Sequence, residues 1–202
     1  MGEFDYLFDD NKNDINSFTG VKGKIHKSTY KKEQKLLKRF DELNNIFPEK
    51  IEKSESLHLI SSDNFGSIEL LEVLRKRFKI DYICLSTWSY NDNFVQIVKS
   101  MLQEGVEFVF IVDKSMKTRK AHLYAQMITL MHEFDNLTKK IHHMIHSKVT
   151  LIKSKNVFLS IEASANYSNN TRIENFTITN DEQLFNFHKT WMNEIVDKTL
   201  KL

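Results

Sequence analysis

His146-Ser147-Lys148 places an imidazole and an ammonium two residues apart in the apolar run from Ile145 to Ile152. On a strand, residues two apart share a face, so this spacing sets a nucleophile or base beside a cation. Ser164-Ala165-Asn166 and then Glu174 follow on neighbouring segments. The combination suits attack on a phosphate diester, whose negative charge repels nucleophiles and whose leaving oxygen needs a proton. His146 as a neutral imidazole can attack phosphorus to form a phosphohistidine. Lys148 can neutralise one phosphoryl oxygen, and the Asn166 amide can donate to another. Glu174 can accept a ring N–H of a histidine and hold its tautomer, and Ser164 stands close enough to orient the group. The scheme calls for no metal and no cofactor. Taken alone, His146 and Lys148 read first as the solvated face of a strand, and it is Asn166 and Glu174 beside them that favour the chemical reading.

Hydrophobic periodicity supplies the frame for these residues. Leu57 to Ser61 predicts a strand, Ser67 to Phe78 a helix, Asp81 to Thr87 a strand, and Asp92 to Gln103 a helix closed near Gly105. Val106 to Val112 predicts a strand and Arg119 to Phe134 a long helix. This alternation implies an α/β layered domain with a mostly parallel sheet. Beyond Asn136 the pattern changes to strands at Ile141–Ile152, Val157–Glu162 and Ile173–Thr179, then a closing helix from Asp181 to Leu200. Near the start, residues 1–30 read as a polar arm and Lys31 to Phe47 as a helix ended by Pro48. Residues 31–202 then form one domain, with that helix packed on it.

The motifs resemble those of the phospholipase D superfamily, in its small nuclease-like branch. The matching pieces are His146-Ser147-Lys148-Val149, Glu162-Ala163-Ser164-Ala165-Asn166, and Arg172-Ile173-Glu174-Asn175-Phe176. Ser86-Thr87-Trp88-Ser89 and Phe187-His188-Lys189-Thr190-Trp191 are similar to phage and mobile-element members. The sequence departs from the family pattern at Lys153, where an Asp is common five residues after the motif Lys, and mildly at Ala163, which replaces a Gly. The resemblance implies a layered sandwich with a mixed, mostly parallel sheet and helices on both faces. It implies metal-independent hydrolysis of nucleic-acid phosphodiesters through His146, Lys148, Asn166, Glu174 and Ser164. Because the His-x-Lys motif occurs once in the chain, it also implies a homodimer in which a second His146 protonates the leaving oxygen. The rival reading is a nucleic-acid-binding or scaffold protein that keeps the fold without the chemistry.

Composition sets the outer bounds. With 202 residues, 41% of them hydrophobic, the chain can build one sizeable core. The net charge of +2 neither demands nor excludes nucleic acid, because local patches matter more than the total. Lys114, Lys117, Arg119 and Lys120 form one basic group, and Lys153 with Lys155 a second, each a candidate for DNA-backbone contact. DNA is favoured over RNA. The one cysteine, Cys84, lies in an apolar run and reads as a buried hydrophobe, so a reducing compartment fits. The start lacks an apolar signal region and no stretch approaches a membrane span, so a cytoplasmic protein without a membrane partner is expected. His142, His143 and His146 lack a familiar zinc spacing, although His142 shares the parity of His146 and could line the same face. Trp88 and Trp191 could stack on bases, with core or interface packing the plainer role. Met116, Met127, Met131 and Met144 read as packing residues.

Overall fold

A computed structural model of the chain describes residues 23–28, 34–37, 43–45, 47–62, 65–168 and 172–200. Its strands are β1 (Gly23–Ser28), β2 (Gln34–Leu37), β3 (Glu55–Ser62), β4 (Tyr82–Thr87), β5 (Glu107–Asp113), β6 (Thr138–His143), β7 (Val149–Ser154), β8 (Val157–Ala163) and β9 (Ile173–Asn180). Besides the helical residues 43–45, the helices among the described residues are α1 (Ser67–Arg77), α2 (Asp92–Gln103), the single turn α3 (Met116–Arg119), α4 (Ala121–Glu133) and α5 (Glu182–Leu200). The strands form one mixed sheet in the order β2-β1-β3-β9-β8-β7-β4-β5-β6.

Strand alternation gives the sheet two buried faces. Ile83, Leu85, Phe108, Phe110 and Val112 share one core with Leu70 and Leu74 of α1, Phe94 and Val98 of α2, and Met127 and Met131 of α4. Cys84, Val109, Ile111 and Leu151 point the other way and meet Phe185, Met192 and Val196 of α5. Helices therefore cover both faces, as expected. Cys84 is fully buried, 3.7 Å from the Met192 sulfur, and burial pushes its thiol up to about 12. Local signals start and stop the helices. Asn91 Oδ1 accepts from Phe94 N at 3.1 Å to open α2, and Gly105, at φ +83°, turns the chain away after it.

Several sequence-based expectations are corrected. The parallel pairings are confined to β4–β5 and β5–β6, and the remaining pairs are antiparallel. Beyond Asn136 the connections are too short for crossovers, so β7 and β8 pair as a hairpin, and antiparallel order follows. Gln34–Leu37 is a strand paired with β1, in place of the middle of a helix over 31–47. Gly23–Ser28 joins the sheet beside β3 instead of belonging to a polar arm. There, ladder hydrogen bonds to an existing edge outweigh the local pattern. The part of the arm before residue 23 lies outside the described residues. The helix expected from Arg119 breaks at Lys120 (φ −141°, ψ 55°), separating α3 from α4.

The most consequential correction concerns the run Ile141–Ile152. It is two strands, β6 and β7, which lie on opposite sides of the β4–β5 pair. Residues 144–148 connect them, so His146 and Lys148 stand in the entry loop to β7 and not on a strand. Ile141, Ile145 and Val149 alternate well enough to mimic one strand. The chain must nonetheless leave the β6 edge to reach the inner position beside β4.

Candidate active site

The sheet register gathers the motif residues at one end. Val149 pairs with Ser86 at the end of β4 and with Glu162 near the end of β8, and Ala163 pairs with Phe176 near the start of β9. The ends of β4, β5 and β8 and the beginnings of β7 and β9 therefore share one rim. The loop carrying His146 is fixed there by two side chains. The Ser86 hydroxyl, buried, accepts from Val149 N at 3.2 Å and lies 3.3 Å from the Ser147 carbonyl. Asp113 accepts from Ile145 N at 3.1 Å with one carboxylate oxygen and from Ser115 N at 3.0 Å, and from the Ser115 hydroxyl, with the other. Burial opposes ionisation of Asp113, but these bonds and the nearby Arg119 charge outweigh it, so its carboxyl lies below the usual range.

His146 is exposed, and Lys148 bends back onto it despite the loss of strand geometry. The Lys148 Nζ lies 3.0 Å from His146 Nδ1 and 3.5 Å from Nε2, and donates to the His146 carbonyl at 2.7 Å. Burial lowers the Lys148 pKa, and the Glu174 carboxylate partly opposes this. Ser164 donates its hydroxyl to Glu174 and accepts from Asn175 N at 3.0 Å, which ties the end of β8 to the carboxylate. Within the chain Glu174 therefore serves Ser164 and Lys148, and no bond from it to His146 is present among the described contacts. Asn166 Oδ1 accepts from Trp88 N at 3.2 Å and lies 3.2 Å from Thr87 Oγ1. With its oxygen engaged, the Asn166 amide keeps its N–H groups for another acceptor.

Trp88 and Arg119, read from the sequence as candidates for base stacking and DNA-backbone contact, form one wall of this rim. The Trp88 ring is half-buried with its centroid 6.0 Å from that of His146. Arg119 lies over the same indole, its guanidinium carbon 3.7 Å from the ring centroid. Lys120 Nζ donates to the Tyr90 carbonyl at 3.0 Å, while Lys117 is exposed. Trp191 instead packs with the α5 core, donating to His188 Nδ1 at 3.0 Å.

Other candidates do not join the rim. Lys153 pairs with Tyr82 and Phe158, at the opposite end of β7, so it is remote from His146. His142 sits on β6 against Tyr124, ring centroids 4.9 Å apart, and burial lowers its pKa. Because His146 lies in a loop and not on the strand, strand parity does not relate the two side chains. Met144 is 72% exposed and does not pack in the core. Among the described residues no three His, Cys, Asp or Glu side chains converge on a metal position, and no helix is long and apolar enough to cross a membrane.

No family model matches the sequence, and no curated protein matches it significantly. Solved structures do. Nuc from Salmonella typhimurium, a phospholipase D family member, is similar over 70% of this chain and 94% of that one, at 17% identity and a TM-score of 0.51. The chain has the phospholipase D fold. A polyphosphate kinase from Porphyromonas gingivalis is similar over 71% of this chain and 26% of that one, at 12% identity and a TM-score of 0.52. On this phospholipase D fold, the two departures from the family pattern fall in different places. Ala163 lies at the rim, where its N–H donates to the Lys148 carbonyl at 3.0 Å, a backbone bond that does not depend on the side chain. Lys153 lies at the far end, with its Nζ 5.7 Å from the centre of the Phe158 ring.

Asp113 and Ser115 are positioning residues that the sequence did not reveal, whereas Ser86 stood out in the Ser86-Thr87-Trp88-Ser89 piece. Asp113 and Ile145 are far apart in the chain, and no local pattern joins them. Ser86 was legible as a polar residue at the end of an apolar strand, where open sheets place ligands.

Proposed function

We propose that the chain is a metal-independent phosphodiesterase acting on nucleic acid, with DNA the favoured substrate. The observation that carries this reading is the gathering of His146, Lys148, Asn166, Ser164 and Glu174 on one rim of a phospholipase D fold. An imidazole nitrogen of His146 attacks phosphorus, and the bond to the leaving nucleoside oxygen breaks. That oxygen takes its electron pair and receives a proton. A single exposed imidazole cannot serve as nucleophile and acid in the same step, so the proton comes from His146 of a partner subunit in a two-fold dimer. The same imidazole, now neutral, removes a proton from water as the water attacks phosphorus and releases His146.

The remaining residues act on charge and position. Lys148 rests on His146 when no anion is bound. A phosphoryl oxygen draws the ammonium away, which frees the imidazole. The Asn166 N–H groups bind a second oxygen, because their carbonyl is already held by Trp88 N. Glu174, steadied by Ser164, keeps Lys148 charged against the effect of burial. Exposed Lys117 adds backbone affinity without reading sequence, while Lys153 is too far from the rim to share that substrate path.

The test is cleavage of plasmid and of single-stranded DNA in EDTA, with His146→Ala alongside. Cleavage by the wild type alone, with a phosphate adduct on His146 detected by mass spectrometry, is the expected result. Tight binding without cleavage of any nucleic acid would favour the binding or scaffold reading. A monomer at micromolar concentration that still cleaves would remove the shared-site step.

A further inference from the structure

Resting on the nucleic-acid reading above, we infer that Arg119 and Trp88 form a stacking platform for an unpaired nucleobase beside the scissile phosphate. The site then selects single-stranded nucleic acid. Arg119 is exposed, yet its plane is fixed from three directions. Its Nε donates to Ser115 Oγ at 2.8 Å, its Nη2 donates to the Trp88 carbonyl at 3.1 Å, and its guanidinium carbon lies 3.7 Å from the Trp88 ring centroid. Ser115 is itself held by Asp113, the residue that also anchors the loop carrying His146. One face of the guanidinium covers the indole, and the residue as a whole is exposed.

A planar cation fixed in this way is suited to stacking. Guanidinium groups and bases stack face to face, and unpaired bases offer free faces. The indole beneath is 6.0 Å, centroid to centroid, from the His146 imidazole, so a base on the platform belongs to a nucleotide adjoining the reacting phosphate. In a duplex both faces of each base are occupied by neighbours, and reaching the platform requires unstacking. A role limited to charge would not need this geometry. Lys120 supplies a nearby ammonium, but it is directed to the Tyr90 carbonyl and has no planar face.

The experiment measures binding by fluorescence anisotropy in EDTA on the full chain carrying His146→Ala, which prevents turnover. The probes are a short labelled single strand, the same strand with one abasic position, and its duplex, each as DNA and as RNA. The single strand is expected to bind about tenfold more tightly than the duplex, and the abasic strand to lose most of that advantage. Arg119→Lys, which keeps the charge, is expected to reduce the preference to about twofold and leave the salt dependence unchanged. Trp88→Phe, which keeps a smaller ring, is expected to fall between them. Circular dichroism checks that both variants fold. Equal binding of single strand and duplex, or an Arg119→Lys protein matching its parent, overturns the platform even where cleavage by the wild type upholds the phosphodiesterase reading. Failure to bind or cleave any nucleic acid removes both.

Discussion

The two ends of β7 carry opposite kinds of structure. At the first end, Lys148 and the loop before it are enclosed by polar side chains drawn from β4, β5, β8 and β9. At the other end, the turn from Lys153 to Lys155 is held by Asp81, through its backbone and its carboxylate. Asp81 N donates to the Lys153 carbonyl at 2.9 Å, and Asp81 Oδ2 accepts from Lys155 N at 3.0 Å. Lys155 has a positive φ of 47°, a conformation unfavourable for a lysine, and the Asp81 bond helps to hold it. The contrast separates two structural tasks at the two ends of one strand. His146 and Lys148 stand together at one rim. The position five residues later belongs to the closing of a hairpin some 17 Å away along the strand at about 3.3 Å per residue. Asp81, just before β4, holds that turn, and Lys153 is remote from the rim.

The largest expected effect lies at the rim. His146→Ala should lower cleavage in EDTA by about a thousandfold or more, since the proposed mechanism assigns both nucleophile and acid to this residue. Cleavage that survives this change would show that the polar rim is not the reacting one. Next, Lys148→Ala should cost about a hundredfold in kcat. Because burial lowers the Lys148 pKa, the ammonium is lost as pH rises sooner than for an ordinary lysine. The alkaline limb of kcat should therefore begin at lower pH, and Lys148→Arg should move it upward in a pH–rate profile.

Asp113→Asn tests the positioning layer. An amide cannot accept from Ile145 and from Ser115 with both of its ends, so one N–H loses its partner. About tenfold in kcat and about 1 kcal/mol of stability should be lost, read by steady-state kinetics and chemical denaturation. The sign of the pH effect follows from the lowered carboxyl of Asp113. Its stabilising contribution is present above the ordinary carboxylate value and is lost as pH falls through the folded value, and the variant should lack that acid-range change. The smallest effects on catalysis should come from the far end. Asp81→Ala should cost about 1 kcal/mol in stability, and Lys153→Ala should leave kcat within about twofold by assay. A large loss of activity from Lys153→Ala would erase the distinction between the ends.

Much of this was legible in residue spacing. The two-residue step from His146 to Lys148, the later Ser164 and Asn166, and Glu174 identified the rim, and the apolar alternation of β4, β5, β8 and β9 identified the strands that deliver it. The strand placement of His146 was misread, because an apolar pattern does not show where a chain leaves one edge to enter the sheet elsewhere. The Lys148 side chain is long enough to restore the contact from a loop. Arg119 was visible as a basic residue, but its stacking on Trp88 was not, since that contact depends on the break at Lys120 and the register of β4 with β5. Asp81 was similarly hidden, being one more charged residue at the start of a strand until the hairpin is brought against it.

Cys84 and Met192 meet where α5 covers its face of the sheet. A thiol that is fully buried, with its ionisation pushed up to about 12, does not react with an alkylating reagent at neutral pH while the helix is seated. Its labelling rate then measures how often α5 lifts away. The single sulfhydryl makes this the opening clock of one face, readable without introducing any foreign probe.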